Sequence, residues 1–332
     1  MKKFIALILT LFSAIFILTG CGEQSLKLDE KYWQTESLTG NFPVDELSVY
    51  EVAVTNRLPS NSTEIKNERI SLIVDEGIYT VHFKSDSTHG AEYKLQTSLT
   101  IKGKYKIGED EYPIDNVTTA TTYLKKFEEK LEPIYTEKYV KNTTLIKGNK
   151  EYVITEFEYD YTVSYGDKAT VKFNVKNVKE DKLNSLALHK GEQSYSDYKN
   201  GAFVENEAIF FIPRTFNITQ GYNQNFKTLD VVSRKIQNCS YSSTSGNSDL
   251  GLTTFPLTTY KENGIEKATD GTKNVSTAKL IIELTDKYSG AEIEAYYATD
   301  YTEMRHNLVK LYTALNANMG YLEYTLKEVT LN

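Results

Sequence analysis

The chain is poor in the residues that most often do chemistry. It has two cysteines in 332 residues, Cys21 and Cys239, so a disulfide framework is excluded. The four histidines, His82, His89, His189 and His306, sit at no metal-ligand spacing. His-x-x-x-His, Cys-x-x-Cys and EF-hand patterns are absent, so the sequence predicts no metal site. Neither Gly-x-x-x-x-Gly-Lys nor Gly-x-Gly-x-x-Gly occurs, which removes the standard nucleotide-binding loops. Trp33 is the lone tryptophan. The longest apolar run, Phe4 to Leu18, is too short for a permanent membrane span. No cofactor is expected.

What is present begins with that run. Lys2 and Lys3 precede it, and Leu18-Thr19-Gly20-Cys21 ends it, the layout of a secretory signal. The tetrapeptide resembles the lipobox of bacterial prolipoproteins. The resemblance implies diacylglycerol on the Cys21 thiol and cleavage after Gly20. Residues 1–20 would then be a signal peptide, and Cys21 would anchor the chain to the extracytoplasmic face of the cell membrane. Two acyl chains hold a protein there stably, where one does not. Loss of Lys2 and Lys3 takes the formal net charge from −7 to −9. That sign argues against nucleic acid as a partner.

Catalytic signatures are weak. Ser196-Asp197-Tyr198-Lys199 resembles the Ser-x-x-Lys of penicillin-interacting enzymes, and Ser245-Gly246-Asn247 resembles their second motif, but Lys-Thr-Gly is missing. Glu156 and Glu158 would suit acid–base hydrolysis of glycans, yet they alternate along the polar face of a strand, where carboxylates stay solvated. Cys239 has no histidine nearby in sequence and reads as a passive thiol. No catalytic residue is assigned.

The rest reads as a mainly β protein, a curved antiparallel sheet of half-barrel or sandwich-like form with two covering amphipathic helices. Residues 21–45 form a tether. A β-rich half follows at 46–180 and another at 190–332, as one domain or two. The clearest element is Glu151 to Val175, where Phe157, Tyr159, Tyr161 and Val163 alternate with acidic and polar residues before Gly166-Asp167 turns the chain. Ile70 to Val74 and Ile78 to Phe83 read as a hairpin around Asp75-Glu76-Gly77. Ala208 to Ile212 is an apolar run closed by Pro213. The spacing of Ala120, Tyr123, Leu124, Phe127 and Leu131 predicts a helix over 118–131, and Met304, Leu308, Leu311 and Leu315 predict one over 302–319, with Gly320 as its C-cap.

Glu294-Ala295-Tyr296-Tyr297-Ala298 and Gly320-Tyr321-Leu322-Glu323-Tyr324 are similar to the closing strands of bacterial surface lipoproteins likened to the half-barrel of periplasmic lipoprotein carriers. This implies an apolar cleft for a lipid-like ligand, and it transfers no site residues. The functional expectation is a non-catalytic binding or carrier module whose partners are the membrane, through Cys21, and an apolar small molecule. A structural or adaptor envelope lipoprotein is the alternative, and a cell-wall hydrolase ranks third. Protein partners are not specified.

Overall fold

The computed structural model describes residues 45–56, 69–127, 130–147, 152–178, 190–216, 218, 222–243, 254–255, 259–262, 265–267, 273–274, 276–284, 293–299, 306–315, 317 and 319–331. Val, Ile, Thr and Tyr are frequent in these stretches and suit a pleated, half-buried surface. The first strands are β1 (Asp45–Thr55), β2 (Ile70–Ser85), β3 (Tyr93–Ile107), β4 (Asp110–Phe127), β5 (Lys130–Lys147), β6 (Tyr152–Tyr165), β7 (Ala169–Asn177) and β8 (Gly191–Tyr195). After a segment whose described residues hold no strand come β9 (Asn223–Asp230), β10 (Lys235–Ser242), β11 (Thr254–Phe255), β12 (Thr259–Glu262), β13 (Ile265–Lys267) and β14 (Lys273–Asn274). The last are β15 (Thr277–Leu284), β16 (Ile293–Ala298), β17 (Leu308–Ala314) and β18 (Tyr321–Leu331).

One large sheet runs β8-β7-β6-β5-β4-β3-β2-β1-β18-β17-β16-β15-β10-β9, antiparallel between all of these neighbours. The first strand is not an edge. It lies between β2 and β18, with Glu46 opposite Leu331 at one end and Thr55 opposite Tyr321 at the other. β12 joins β18 in parallel and carries β13, while β11 and β14 form a separate pair.

The sheet is curved but not closed. Tyr159, Tyr161 and Phe173 from β6 and β7 share a core cluster with Leu229 of β9 and with Val231, although β9 is at the other end of the strand order. Only a curled sheet brings them together. Among the described residues one isolated parallel bridge, Phe203 to Lys227, ties the segment after β8 to β9. There the Lys227 amide donates to Ala202 O at 2.7 Å, and the Val204 amide donates to Lys227 O at 2.9 Å.

The hairpin read over 151–175 stands as β6 and β7, joined through Gly166 and Asp167. The hairpin read at 70–83 does not. Ile70–Ser85 is one strand, and Asp75 is the extra residue of a β-bulge between Val74 and Glu76. Close backbone approach marks the same place: a Cβ on Gly103 would lie 2.0 Å from the Ile73 carbonyl oxygen, and one on Gly77 2.2 Å from that of Val52.

The two covering helices are also corrected. Residues 118–127 belong to β4 and 130–131 open β5; residues 308–314 are β17, and 302–305 lie outside the described residues. Each false helix coincides with a register shift, between Tyr123 and Leu124 in the first case and between Tyr296 and Tyr297, opposite β17, in the second. In the second the inserted residue, Val309, lies inside the misread stretch and breaks strict alternation, so apolar positions fall three or four apart; in the first it is Ile134, on the partner strand β5. Gly320 caps no helix. Its φ of +99° turns the chain into β18, and the Leu315 amide donates to its carbonyl at 2.8 Å.

What fills the concave face is the segment 202–216, with 3-10 turns at Asn206–Ala208 and Ile212–Thr215. The run Ala208 to Ile212 is thus turn, not strand. Ile209, Phe211, Ile212 and Phe216 are buried in the main core, each contributing roughly 1.5–3 kcal/mol of burial free energy. The sheet pins this segment from several sides. Tyr241 of β10 donates its hydroxyl to Ile209 O at 2.8 Å, Tyr297 of β16 to Phe210 O at 3.0 Å, and Phe83 of β2 packs on Phe211 at 4.6 Å between ring centroids.

Candidate functional site

The inner segment does not fill the sheet completely. Between that segment and the adjoining ends of β4 and β5 lies a cavity of about 400 Å³, within the roughly 300–1,000 Å³ typical of small-molecule sites. One wall is Leu124, Phe127, Leu131 and Pro133; the other is Tyr198, Phe203, Val204, Ala208, Ile212 and Phe216. Glu132 and Lys199 stand at exposed positions of the lining, and Glu205 is its buried charge.

Glu205 is 3% exposed, yet its carboxylate receives only neutral donors: Thr122 Oγ1 at 3.2 Å, Tyr165 OH at 3.4 Å and the Glu207 amide at 2.6 Å. Thr122 also bonds Thr136, its partner on β5. Glu207 takes the nearby cation, with Lys138 Nζ at 2.6 Å, and accepts from Tyr161 OH at 3.3 Å. Burial first, and repulsion from Glu207 second, push the Glu205 carboxyl up to about 7. Burial is the largest influence on Lys138 and lowers its pKa, but attraction to Glu207, Tyr159 and Glu205 and the hydrogen bond to Glu207 together outweigh it, and the net direction is upward. Burial and the two carboxylates raise the hydroxyls of Tyr161 and Tyr165, which therefore remain donors. The result is a desolvated acid beside an apolar space.

Three rings stand next to it. Tyr165, Tyr198 and Phe203 have centroids 5.2 to 5.9 Å apart, and Tyr198 donates its hydroxyl to the carbonyl of Gly166. Lys199 Nζ sits 5.8 Å from the Tyr198 centroid. A second cavity of about 220 Å³ lies toward the opposite ends of β4 and β5, among Leu72, Ile101, Tyr105, Leu145 and Met319.

No family model matches the chain, and no curated protein matches it. Among solved structures it is similar to a β-barrel-like protein of a domain of unknown function, DUF1849, from Brucella abortus. The two are 11% identical with a TM-score of 0.42, over 87% of this chain and 98% of that one.

Leu18, Thr19, Gly20 and Cys21 lie outside the described residues. The Ser-x-x-Lys pair is not assembled for chemistry, since Ser196 Oγ donates to Asp197 and Lys199 lies over Tyr198. Cys239 is a buried thiol in the main core. His82 bonds Asp45 at 2.6 Å, and His89 stacks on Tyr135 at 4.3 Å. Among the described residues no group of three His, Cys, Asp or Glu is placed to hold a metal ion. Sequence reading missed Glu205, Glu207, Lys138 and Arg214. The available signal was two glutamates and an arginine flanking the compact apolar run 208–213, charges that in sequence look like an exposed face.

Proposed function

We propose that this chain is a lipid-anchored, extracytoplasmic binding or carrier module that holds an apolar, lipid-like ligand between its curved sheet and its inner segment. The observation that carries the reading is the cavity of about 400 Å³ beside segment 202–216. The lipobox-like Leu18-Thr19-Gly20-Cys21 supports the anchor. The cavity suits holding a ligand rather than transforming one, because its walls offer apolar area and the partners of Glu205 are hydroxyls and an amide. A structural adaptor is the second reading. It is favoured by β8, whose residues 191–194 are exposed and which ends the strand order.

The test is mass spectrometry of the full-length chain purified from its own host, first native and then denatured. The expected result is a stoichiometric small molecule lost on denaturation, from a chain that begins at a diacylated Cys21. A clean ligand-free mass overturns the carrier reading and favours the adaptor. An unmodified Cys21 overturns the anchor.

A further inference from the structure

Within the carrier reading, on which this inference rests, the charge of the interior narrows the ligand. Around the inner segment the described residues place three buried or nearly buried carboxylates, Glu46, Glu205 and Glu207, against two cations, Lys138 and Arg214. The cations are engaged elsewhere, Arg214 with Glu46 at 2.6 Å and Lys138 with Glu207 at 2.6 Å. The surplus acid is therefore Glu205, which also lines the cavity. An anionic ligand would meet Glu205 with Glu207 behind it. A wholly apolar one would leave Glu205 to its neutral donors, protonated and unused in recognition.

The aromatic faces point the same way. Tyr198 and Phe203 line the cavity, and Tyr165 joins them to Glu205 through its hydroxyl. The molecule's own Lys199, an exposed side chain, already rests over Tyr198, so this face accepts a cation. We infer that the cavity takes a cationic amphiphile, its ammonium-type head against Glu205 and the rings of Tyr198 and Phe203, its tail along Leu124, Leu131 and Ile212. Lys199 is the stand-in that the head displaces. Because the head favours the ionised carboxyl, binding draws a proton off Glu205 and tightens as pH rises through about 7. The groups facing that carboxyl are Thr122 on β4, Lys138 on β5, Tyr161 and Tyr165 on β6 and Glu207 on its own segment, with Glu132 and Lys199 at exposed positions of the cavity lining.

Calorimetry on the full-length chain in lipid nanodiscs, with empty nanodiscs as blank, would compare octyltrimethylammonium, octanol and octanoate. The cation is expected to bind about tenfold tighter than octanol, with octanoate weakest. Glu205→Gln should remove that advantage and leave octanol unchanged. Lys199→Gln, a surface change, should strengthen the cation severalfold. Equal affinities for the cation and octanol overturn this inference while the carrier reading stands. If no probe binds, octanol included, the carrier reading falls and this inference with it. A cation advantage that survives Glu205→Gln and is unmoved by Lys199→Gln also overturns the assignment to this site.

Discussion

Arg214 of the inner segment and Glu46 of β1, 168 residues apart in sequence, form a two-pronged ion pair. Nη1 meets Oε1 at 2.6 Å and Nη2 meets Oε2 at 3.0 Å, with both side chains almost fully buried. The guanidinium also lies 5.0 Å from the Phe211 ring centroid. This pair fastens the inner segment to the strand at the middle of the sheet.

Removing one partner leaves the other charge buried and uncompensated. Arg214→Met or Glu46→Gln alone should therefore cost about 3–5 kcal/mol, and Arg214→Met combined with Glu46→Leu much less. Urea unfolding of the three variants checks this. Additive losses in the double variant would refute the pairing.

Glu205 makes stability depend on pH. Its carboxyl is raised from 4.5 to about 7, so between those values the folded chain holds a proton that the unfolded chain has released. The stability this contributes is complete below about pH 4.5 and is lost as pH rises through about 7. Wild type should lose about 1–3 kcal/mol from this group between about pH 5 and pH 8, and Glu205→Gln should show a flatter profile. Matching slopes in the two proteins would count against it.

Gly103→Ala places a methyl 2.0 Å from the Ile73 carbonyl oxygen, where backbone must move. A loss of about 1–3 kcal/mol is expected. Gly166→Ala meets open space and should stay within about 0.5 kcal/mol of wild type. Thermal melts of both variants decide the point.

Ala202→Trp fills the cavity from a half-buried position whose backbone carbonyl keeps its bond to Lys227. The ligand released by the wild-type chain should be absent from this variant while its melting temperature stays within a few degrees, about 4 °C or less. Retention of a full complement of ligand would place the ligand elsewhere.

How much of this was legible depends on where alternation survives. Val163, Tyr161 and Tyr159 bury on one face while Ser164, Thr162 and Asp160 face out, so β6 was readable at sight. The helix misread at 302–319 and the hairpin misread at 70–83 each hold a bulge, where one added residue, Val309 or Asp75, mixes the two faces. At β4, where the register shift adds its residue to β5 instead, two other effects hide the strand read as a helix over 118–131. Its inner face carries Thr122 because a carboxylate lies opposite, and its outer face carries the apolar Tyr123 because His89 packs over that ring. The β-branched run Val117-Thr118-Thr119-Ala120-Thr121-Thr122 was the signal against a helix. The site was harder. Glu205, Glu207 and Lys138 become neighbours only once the sheet has curled round a segment 69 residues further along the chain, and no local pattern encodes that.

The place of β1 has a consequence for how the molecule is made. Strands β2 to β7 lie beside their predecessors in sequence and can zip up while the ribosome is still working. β1 must wait, because one side of it is completed only by Tyr321–Leu331, the last of the described strands. Contacts this distant in sequence form slowly, and until they do β1 and β17 both offer bare edges to any passing strand. The two blocks of the sheet are therefore joined in one late step. A chain stopped before Tyr321 would hold them as separate pieces, β8 to β1 and β17 to β9, each with a raw edge where β18 belongs, a substrate for aggregation and proteolysis.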